Sequence, residues 1–237
     1  MMQQRMKDFD ENYSRIRHEM AEAALRAGRD PAEVRLLAAV KMVPPEVINY
    51  AVQQGLDLIG DNRIQEMEQK RPLLVNEPEH HFIAPHQTNK VRNLVGKIDM
   101  IESVHSLKLA REIAKQSAAA DVTTDVLLEV NIGREESKSG FFTEELDEAV
   151  AQIAEMNGIK VRGLMTIPPI CQTNCEICAY FEKMQKVFID FSDKRIDNIS
   201  MEYLSMGMSG DFNEAIGFGA NIIRIGTALF GARNYTK

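Results

Sequence analysis

Residues 35–52 read RLLAAVKMVPPEVINYAV, in which an apolar run from Leu36 to Val40 stops on Lys41 and, after Pro44 and Pro45, gives way to apolar residues spaced three or four apart. Such a stretch is one strand, one turn and one helix. The alternation then repeats down the chain. Strand signals stand at VRLLAAVK (34–41), LDLIGD (56–61), HHFIA (80–84), DMIESV (99–104), TDVLLEVNI (124–132), VRGLMTI (161–167), SMEYLSM (200–206) and NIIRIG (221–226). Helix signals lie between them, as in PEVINYAVQQG (45–55), SLKLAREIAKQSAAA (106–120) and TEELDEAVAQIAEMNG (143–158). Ser106 and Thr143 are expected to cap first turns, and Gly158 to end a helix. Eight strands, nearly all followed by a helix, predict an α/β fold, a single (β/α)8 TIM barrel with an extra N-terminal helix; a doubly wound open sheet gives a similar alternation.

At 237 residues the chain matches one barrel domain, expected over 1–237, and no Ser/Gly/Pro-rich linker divides it. The charges, 28 basic against 35 acidic for a net of -7, are interspersed, so a nucleic-acid partner is not expected. The charged opening MMQQRMKDFDENYSRIRHEM lacks the apolar core of a secretory signal, and no later run is long enough to span a bilayer, so a cytoplasmic protein is expected. Three cysteines crowded into one segment make no disulfide framework.

In a barrel the site is built where strands end. Lys41 holds that place on the first strand. A strand-end lysine can simply lay its stem along apolar surface with the ammonium in water. Partly desolvated in a barrel mouth, however, a lysine becomes a nucleophile that forms Schiff bases. A site for an anionic cofactor is readable at the far end of the chain. SMGMSGDFNEAIGFG and RIGTALFG follow the seventh and eighth strand signals, the usual place of a phosphate cup. There Gly207, Ser209, Gly210, Gly226 and Thr227 let backbone N–H groups approach an anion, and Ser209 is placed to cap a helix beginning near Asp211. The plainer alternative is tight turns and a cap only. Arg224, inside the last strand, is costly to bury unless it meets a ligand or a carboxylate.

The segments LLAAVKMVP, LIGDNRIQE, HFIAPHQTNK, EVNIGREESKSGF, VRGLMTIPP and YLSMGMSGDFNEAIGFGANIIRIGTALFGAR, from about Val34 to Arg233, resemble in order and spacing the pyridoxal phosphate homeostasis protein family. The resemblance implies a fold-type III barrel like the N-terminal domain of alanine racemase, binding pyridoxal 5'-phosphate (PLP) as a covalent Schiff base on Lys41. It also implies that Ser209, Gly226 and Thr227 hold the phosphate, with Ser205, Met206, Gly207 and Met208 completing that wall. Arg224 faces the pyridine nitrogen, Asn62 lies beside the ring, and Met165 and Thr166 form a strand end near the cofactor. The chain departs from the family pattern at Asp61, where glutamate is usual, and at Ala84 and His86, where glycine and leucine are usual; His86 is read as solvent-facing.

An arginine opposite the pyridine nitrogen cannot accept its proton, so the ring is a poorer electron sink than one facing a carboxylate. Alanine racemase, by the same resemblance, works with a tyrosine base from a partner's second domain. No room for that domain is expected before Lys237, and Tyr13, Tyr50, Tyr180, Tyr203 and Tyr235 offer no obvious substitute. The implied function is to hold, buffer and deliver PLP, to apoenzymes among other acceptors, from a monomer, supporting vitamin B6 and amino-acid homeostasis; the alternative is a racemase-like enzyme. A second alternative rests on CQTNCEIC, where Cys171, Cys175 and Cys178 match the spacing of a [4Fe-4S] ligand set but follow the sixth strand instead of the first. The plainer reading makes Cys178 a small apolar helix residue. GFGANI follows a helix and precedes a strand, the reverse of a dinucleotide fingerprint. His80 and His81 point to opposite faces of one strand and cannot share a metal.

Overall fold

A computed structural model describes residues 2–231. Eight parallel strands close into a barrel in sequence order: β1 (Arg35–Ala39), β2 (Leu58–Asp61), β3 (Glu79–Phe82), β4 (Met100–Val104), β5 (Thr124–Val130), β6 (Ile159–Thr166), β7 (Ile199–Ser205) and β8 (Ile222–Ile225). Closure is by β1 on β8, with Leu37 opposite Arg224. All eight expected strands are present, and the barrel prevails over the open sheet. The first differs at its end: pairing stops at Ala39, although Val40 still donates its N–H to the Gly60 carbonyl at 3.0 Å.

Alternation along each strand divides the core in two. Leu36 and Ala38 face outward into the large layer between strands and helices, whereas Leu37 joins Leu58, Ile83 and Ile222 inside the barrel. A second interior group, Met100, Leu127 and Met165, shares Tyr203 with the first. Gly163 on β6 makes the interior fit: its φ is +150°, and an added Cβ would lie 1.9 Å from the Tyr203 carbonyl oxygen.

The helices are α1 (Met2–Arg26), α2 (Pro45–Gln53), α3 (Ile64–Lys70), α4 (Leu107–Ala119), α5 (Leu146–Ala154), α6 (Asn174–Ser192), α7 (Phe212–Gly217) and α8 (Thr227–Phe230). Between β3 and β4 there is only a 3-10 turn, Thr88–Asn93. The two prolines of the opening stretch have separate tasks. Pro44 is extended at the N-cap of α2, and Pro45 fills the first helical position, where its missing N–H costs nothing. Ser106 caps α4 as expected, accepting the Leu109 N–H at 3.3 Å. Thr143 does not cap: it lies inside a 3-10 turn, and Glu145 accepts the preceding Phe142 N–H at 2.7 Å instead. Gly158 also does not end α5, which stops at Ala154; at φ +82° it turns the chain into β6. No described helix is long and apolar enough to cross a membrane.

The expected extra helix, α1, joins the chain's ends. Its buried Phe9 stacks on Phe230 of α8 at 5.7 Å and on Tyr13 at 5.2 Å, and meets Tyr50 of α2 edge-on at 6.2 Å. Asn12 donates to the Leu229 carbonyl at 3.2 Å. Arg233, the last residue of the family resemblance, and Tyr235 lie outside the described residues.

Candidate cofactor-binding site

The turn after β1 aims Lys41. Val43 donates its N–H to the Val40 carbonyl at 3.0 Å, and Met42, between them, has φ +58°. A left-handed non-glycine residue costs about 1–2 kcal/mol, and the surroundings hold it: Met42 donates its N–H to Glu66 Oε2 at 3.0 Å. Behind the turn the buried Lys70 donates from Nζ to the Val40 carbonyl at 2.7 Å, to Asp61 at 3.2 Å and to Glu66 at 3.4 Å. Asp61, the shortened carboxylate, also meets His80 Nε2 at 3.0 Å. Lys70 thus uses its charge to fix the β1 end. Lys41, half-buried, has no ion pair among the described residues.

Lys41 shares one pocket with Ala39, Val43, Gly226, Thr227 and Phe230, and Arg5 of α1 completes its rim. Thr227 opens α8; Leu229 and Phe230 donate their N–H groups to the Gly226 carbonyl at 3.0 Å, which leaves those of Thr227 and Ala228 for a ligand. A lysine amine, two N–H groups of a helix start, a threonine hydroxyl and an arginine therefore converge. Asn62 is placed elsewhere, in a neighbouring recess with Phe82, Pro85 and His86. His86 is not solvent-facing: it packs edge-on against Phe82 at 5.2 Å, and burial pulls its pKa down to about 4. Nδ1 lies 3.3 Å from the Ala84 carbonyl, which also accepts the Ser103 hydroxyl at 2.7 Å.

On the β7 side the expected phosphate wall divides. Ser205 is buried and faces inward, Met206 packs into the outer core, and Met208 and Ser209 are exposed. Ser209 is not the cap of α7; Asp211 takes that position and accepts the Met208 N–H at 2.6 Å. Gly207, at φ +93°, accepts the Arg224 N–H at 3.0 Å, and a Cβ there would approach that of Ala215 to 2.6 Å. Gly210 has open space where a Cβ would go.

Arg224 is only 6% exposed, and its donors are fixed. One guanidinium nitrogen donates to Ser205 Oγ at 2.6 Å and the other to the Thr166 carbonyl at 2.9 Å. Thr166 donates its hydroxyl to the Val130 carbonyl at 2.7 Å, and Met165 fills the interior beside Met100 and Leu127. From Ser205 a line of hydrogen bonds descends through the barrel. Ser205 donates to Glu102 Oε2 at 2.6 Å; Glu102 Oε1 meets His81 Nδ1 at 2.6 Å; His81 Nε2 meets Glu79 at 2.8 Å; and Glu79 accepts from Arg35 at 2.6 Å. Burial alone would pull the His81 imidazolium down, but hydrogen bonds and charge from Glu102 and Glu79 hold it up at about 9. Burial pushes Glu102 up; His81, Arg224 and Ser205 outweigh it and keep the carboxyl below its ordinary range. The chain therefore alternates cation and anion, and Glu102 answers both Arg224 and His81. Sequence reasoning passed over Glu102 and Lys70; a carboxylate amid the apolar run DMIESV was the signal for the first.

The other sequence candidates lie apart from this pocket. Tyr13 donates to the Gly55 carbonyl at 3.1 Å, Tyr50 to Asp10 at 2.6 Å, and Tyr203 lies under the Arg162 guanidinium. Cys178 packs against the core within α6, Cys175 is exposed, and no three potential metal ligands converge among the described residues. GFGANI runs from α7 into β8, as its order implied.

The described geometry has relatives. The model of the alanine racemase N-terminal domain matches residues 12–234. A pyridoxal phosphate homeostasis protein of Aquifex aeolicus is 43% identical over 226 residues, 95% of this chain and 98% of its own length. That of Escherichia coli K12 is 36% identical, with 98% of this chain and all of its own length covered. Among solved structures, PipY of Synechococcus elongatus with PLP bound superposes with a TM-score of 0.78 at 30% identity, covering 90% of this chain and all of PipY. The match takes in α1 from residue 12 and the whole barrel, and on it this chain belongs to the alanine racemase N-terminal domain family, within its pyridoxal phosphate homeostasis branch.

Proposed function

We propose that the chain binds PLP at the barrel mouth as a Schiff base on Lys41 and, as a single-domain cytoplasmic monomer, buffers the cofactor and hands it to acceptors that include apoenzymes. The observation that carries this reading is Lys41 in one pocket with the N-terminal turn of α8, which follows directly on the strand whose buried Arg224 is held by Ser205 and the Thr166 carbonyl. PLP supplies an aldehyde that condenses with primary amines and a phosphate dianion. The residues present fit both: Lys41 is the amine, and the Thr227 hydroxyl, the first-turn N–H groups and the Arg5 charge suit the phosphate.

Arg224 has the further task of facing the ring. Burial pulls its pKa down and the charge of Glu102 opposes that; as a guanidinium it donates hydrogen bonds and offers no acceptor for a pyridinium proton, which disfavours carbanion chemistry and suits holding over turnover. Purified protein loaded with PLP is expected to show a visible band that borohydride abolishes, leaving a pyridoxyl group on the Lys41 peptide by mass spectrometry. Lys41→Ala is expected to lose both. An adduct on another lysine, or none, overturns the assignment.

A further inference from the structure

Across the mouth from Lys41, four strands away around the ring, stands a carboxylate that the site described above leaves unused. Glu129, at the end of β5, is 5% exposed; its Oε2 is buried without a hydrogen-bond partner, and its side chain makes no ion pair among the described residues. It lines a recess with Pro85, Asn131, Ser137, Lys138, Ser139 and Ile167. The nearest cation on the recess wall cannot serve it. Lys138 Nζ is engaged by Glu135 at 2.5 Å and by the Pro168 carbonyl at 2.9 Å. Arg224 acts on Glu129 through its charge and makes no hydrogen bond to it, donating to Ser205 and Thr166 instead. A buried carboxylate without a donor is costly, and in a native protein it calls for a proton or a partner from outside the chain. No three His, Cys, Asp or Glu side chains converge there among the described residues, so an N–H donor suits the recess better than a metal ion.

We propose that this recess binds the primary ammonium group of an incoming amine, either a free amino acid or a lysine side chain, and that Glu129 takes a proton from it. One N–H bond of the ammonium breaks and an O–H bond forms on Glu129, which leaves a neutral amine facing the Lys41 side of the mouth and a neutral carboxyl behind it. The environment suits a proton acceptor: burial pushes the Glu129 pKa up to about 7, with Arg224 opposing, so the group exchanges protons near neutrality. The role of the site in handing over a cofactor rests on the reading of Lys41 given above; ammonium binding does not.

The two are tested apart. In cofactor-free protein carrying 13C-labelled glutamate carboxyls, the Glu129 resonance is identified by its loss in Glu129→Gln. Methylammonium chloride at about ten times its Kd is expected to lower the titration midpoint by about one pH unit relative to equal sodium chloride, and Glu129→Asp to retain a response. Glycine and Nα-acetyl-lysine amide then separate the sources: a response to glycine alone assigns free amino acids, and a response to the lysine amide brings in protein side chains. No response to any of the three overturns the proposal. In loaded protein, the rate at which the borohydride-trapped label moves from Lys41 to added glycine is expected to fall about tenfold in Glu129→Gln, and an unchanged rate also overturns it. Failure to load at Lys41 counts against the cofactor reading, while the cofactor-free titration still decides this one.

Discussion

Lys41 and Arg224 stood out because each is a polar residue where a strand runs apolar, and burial of such groups demands a partner, whereas Ser205 came only from the family resemblance. The same rule applied to Glu102 and Glu129, yet only three-dimensional pairing shows that one is answered twice and the other not at all. Asn62 and Ser209 mark the opposite limit, since a family position does not say which recess a side chain enters or which residue caps α7. His81 gives a test at this scale. Its folded pKa, about 9, stands above the ordinary 6.5, so its contribution is fully present below pH 6.5 and is lost as pH rises through 9. The amount is roughly 3 kcal/mol. Urea unfolding of the wild type is expected to weaken between pH 6 and pH 9.5 by about that much more than that of His81→Gln, and equal pH profiles would show the imidazolium to be unimportant. Glu102→Gln is expected to cost about 3 kcal/mol at pH 7, since it leaves two buried cations with one neutral amide between them.

Periodicity located every strand because parallel strands, covered on both sides, read as short apolar runs. Caps were less legible: Ser106 was found, but at Thr143 the Glu145 side chain reaches back to the Phe142 N–H and displaces the expected cap. The helix α1 was visible, but its task was not. Nothing local in residues 2–26 reveals that Phe9 is to meet Phe230 or that Arg5 stands at the Lys41 pocket. Phe9→Ala is expected to cost about 3–5 kcal/mol in chemical denaturation. Arg5→Ala, by contrast, is expected to leave stability nearly unchanged and to weaken PLP binding about threefold, an effect that fades at high salt. A fluorescence titration at two ionic strengths checks it, and unaltered affinity at low salt would remove Arg5 from the site.

At the scale of the molecule, the barrel is uneven around its circumference. β5 and β6 pair over their whole length, whereas β7 and β8 share a single registered pair, Ser205 with Ile222. Asn221 reinforces that seam with its side chain, accepting the Leu204 N–H at 2.7 Å and donating to the Glu202 carbonyl at 2.6 Å, while its own N–H reaches the Leu204 carbonyl at 3.1 Å. Ser205 and Arg224 lie on either side of it. Asn221→Ala is expected to cost about 2 kcal/mol and to loosen PLP binding together with stability; a variant that destabilises but binds as before would separate seam from site.

The contact of α1 with α7 and α8 has a consequence for how the molecule is made. Arg29, just beyond α1, donates to the Ile216 and Ala220 carbonyls at 3.0 and 2.8 Å, and Phe9 waits for Phe230. Helix α1 thus has its partners in α7 and α8, far along the sequence, and contacts of such long sequence separation form slowly. A chain cut before Gly226 and Thr227 is expected to keep the Lys41 amine and to lack the residues proposed above for the phosphate. On the proposed reading of Lys41, capture of the cofactor then belongs to the closed ring.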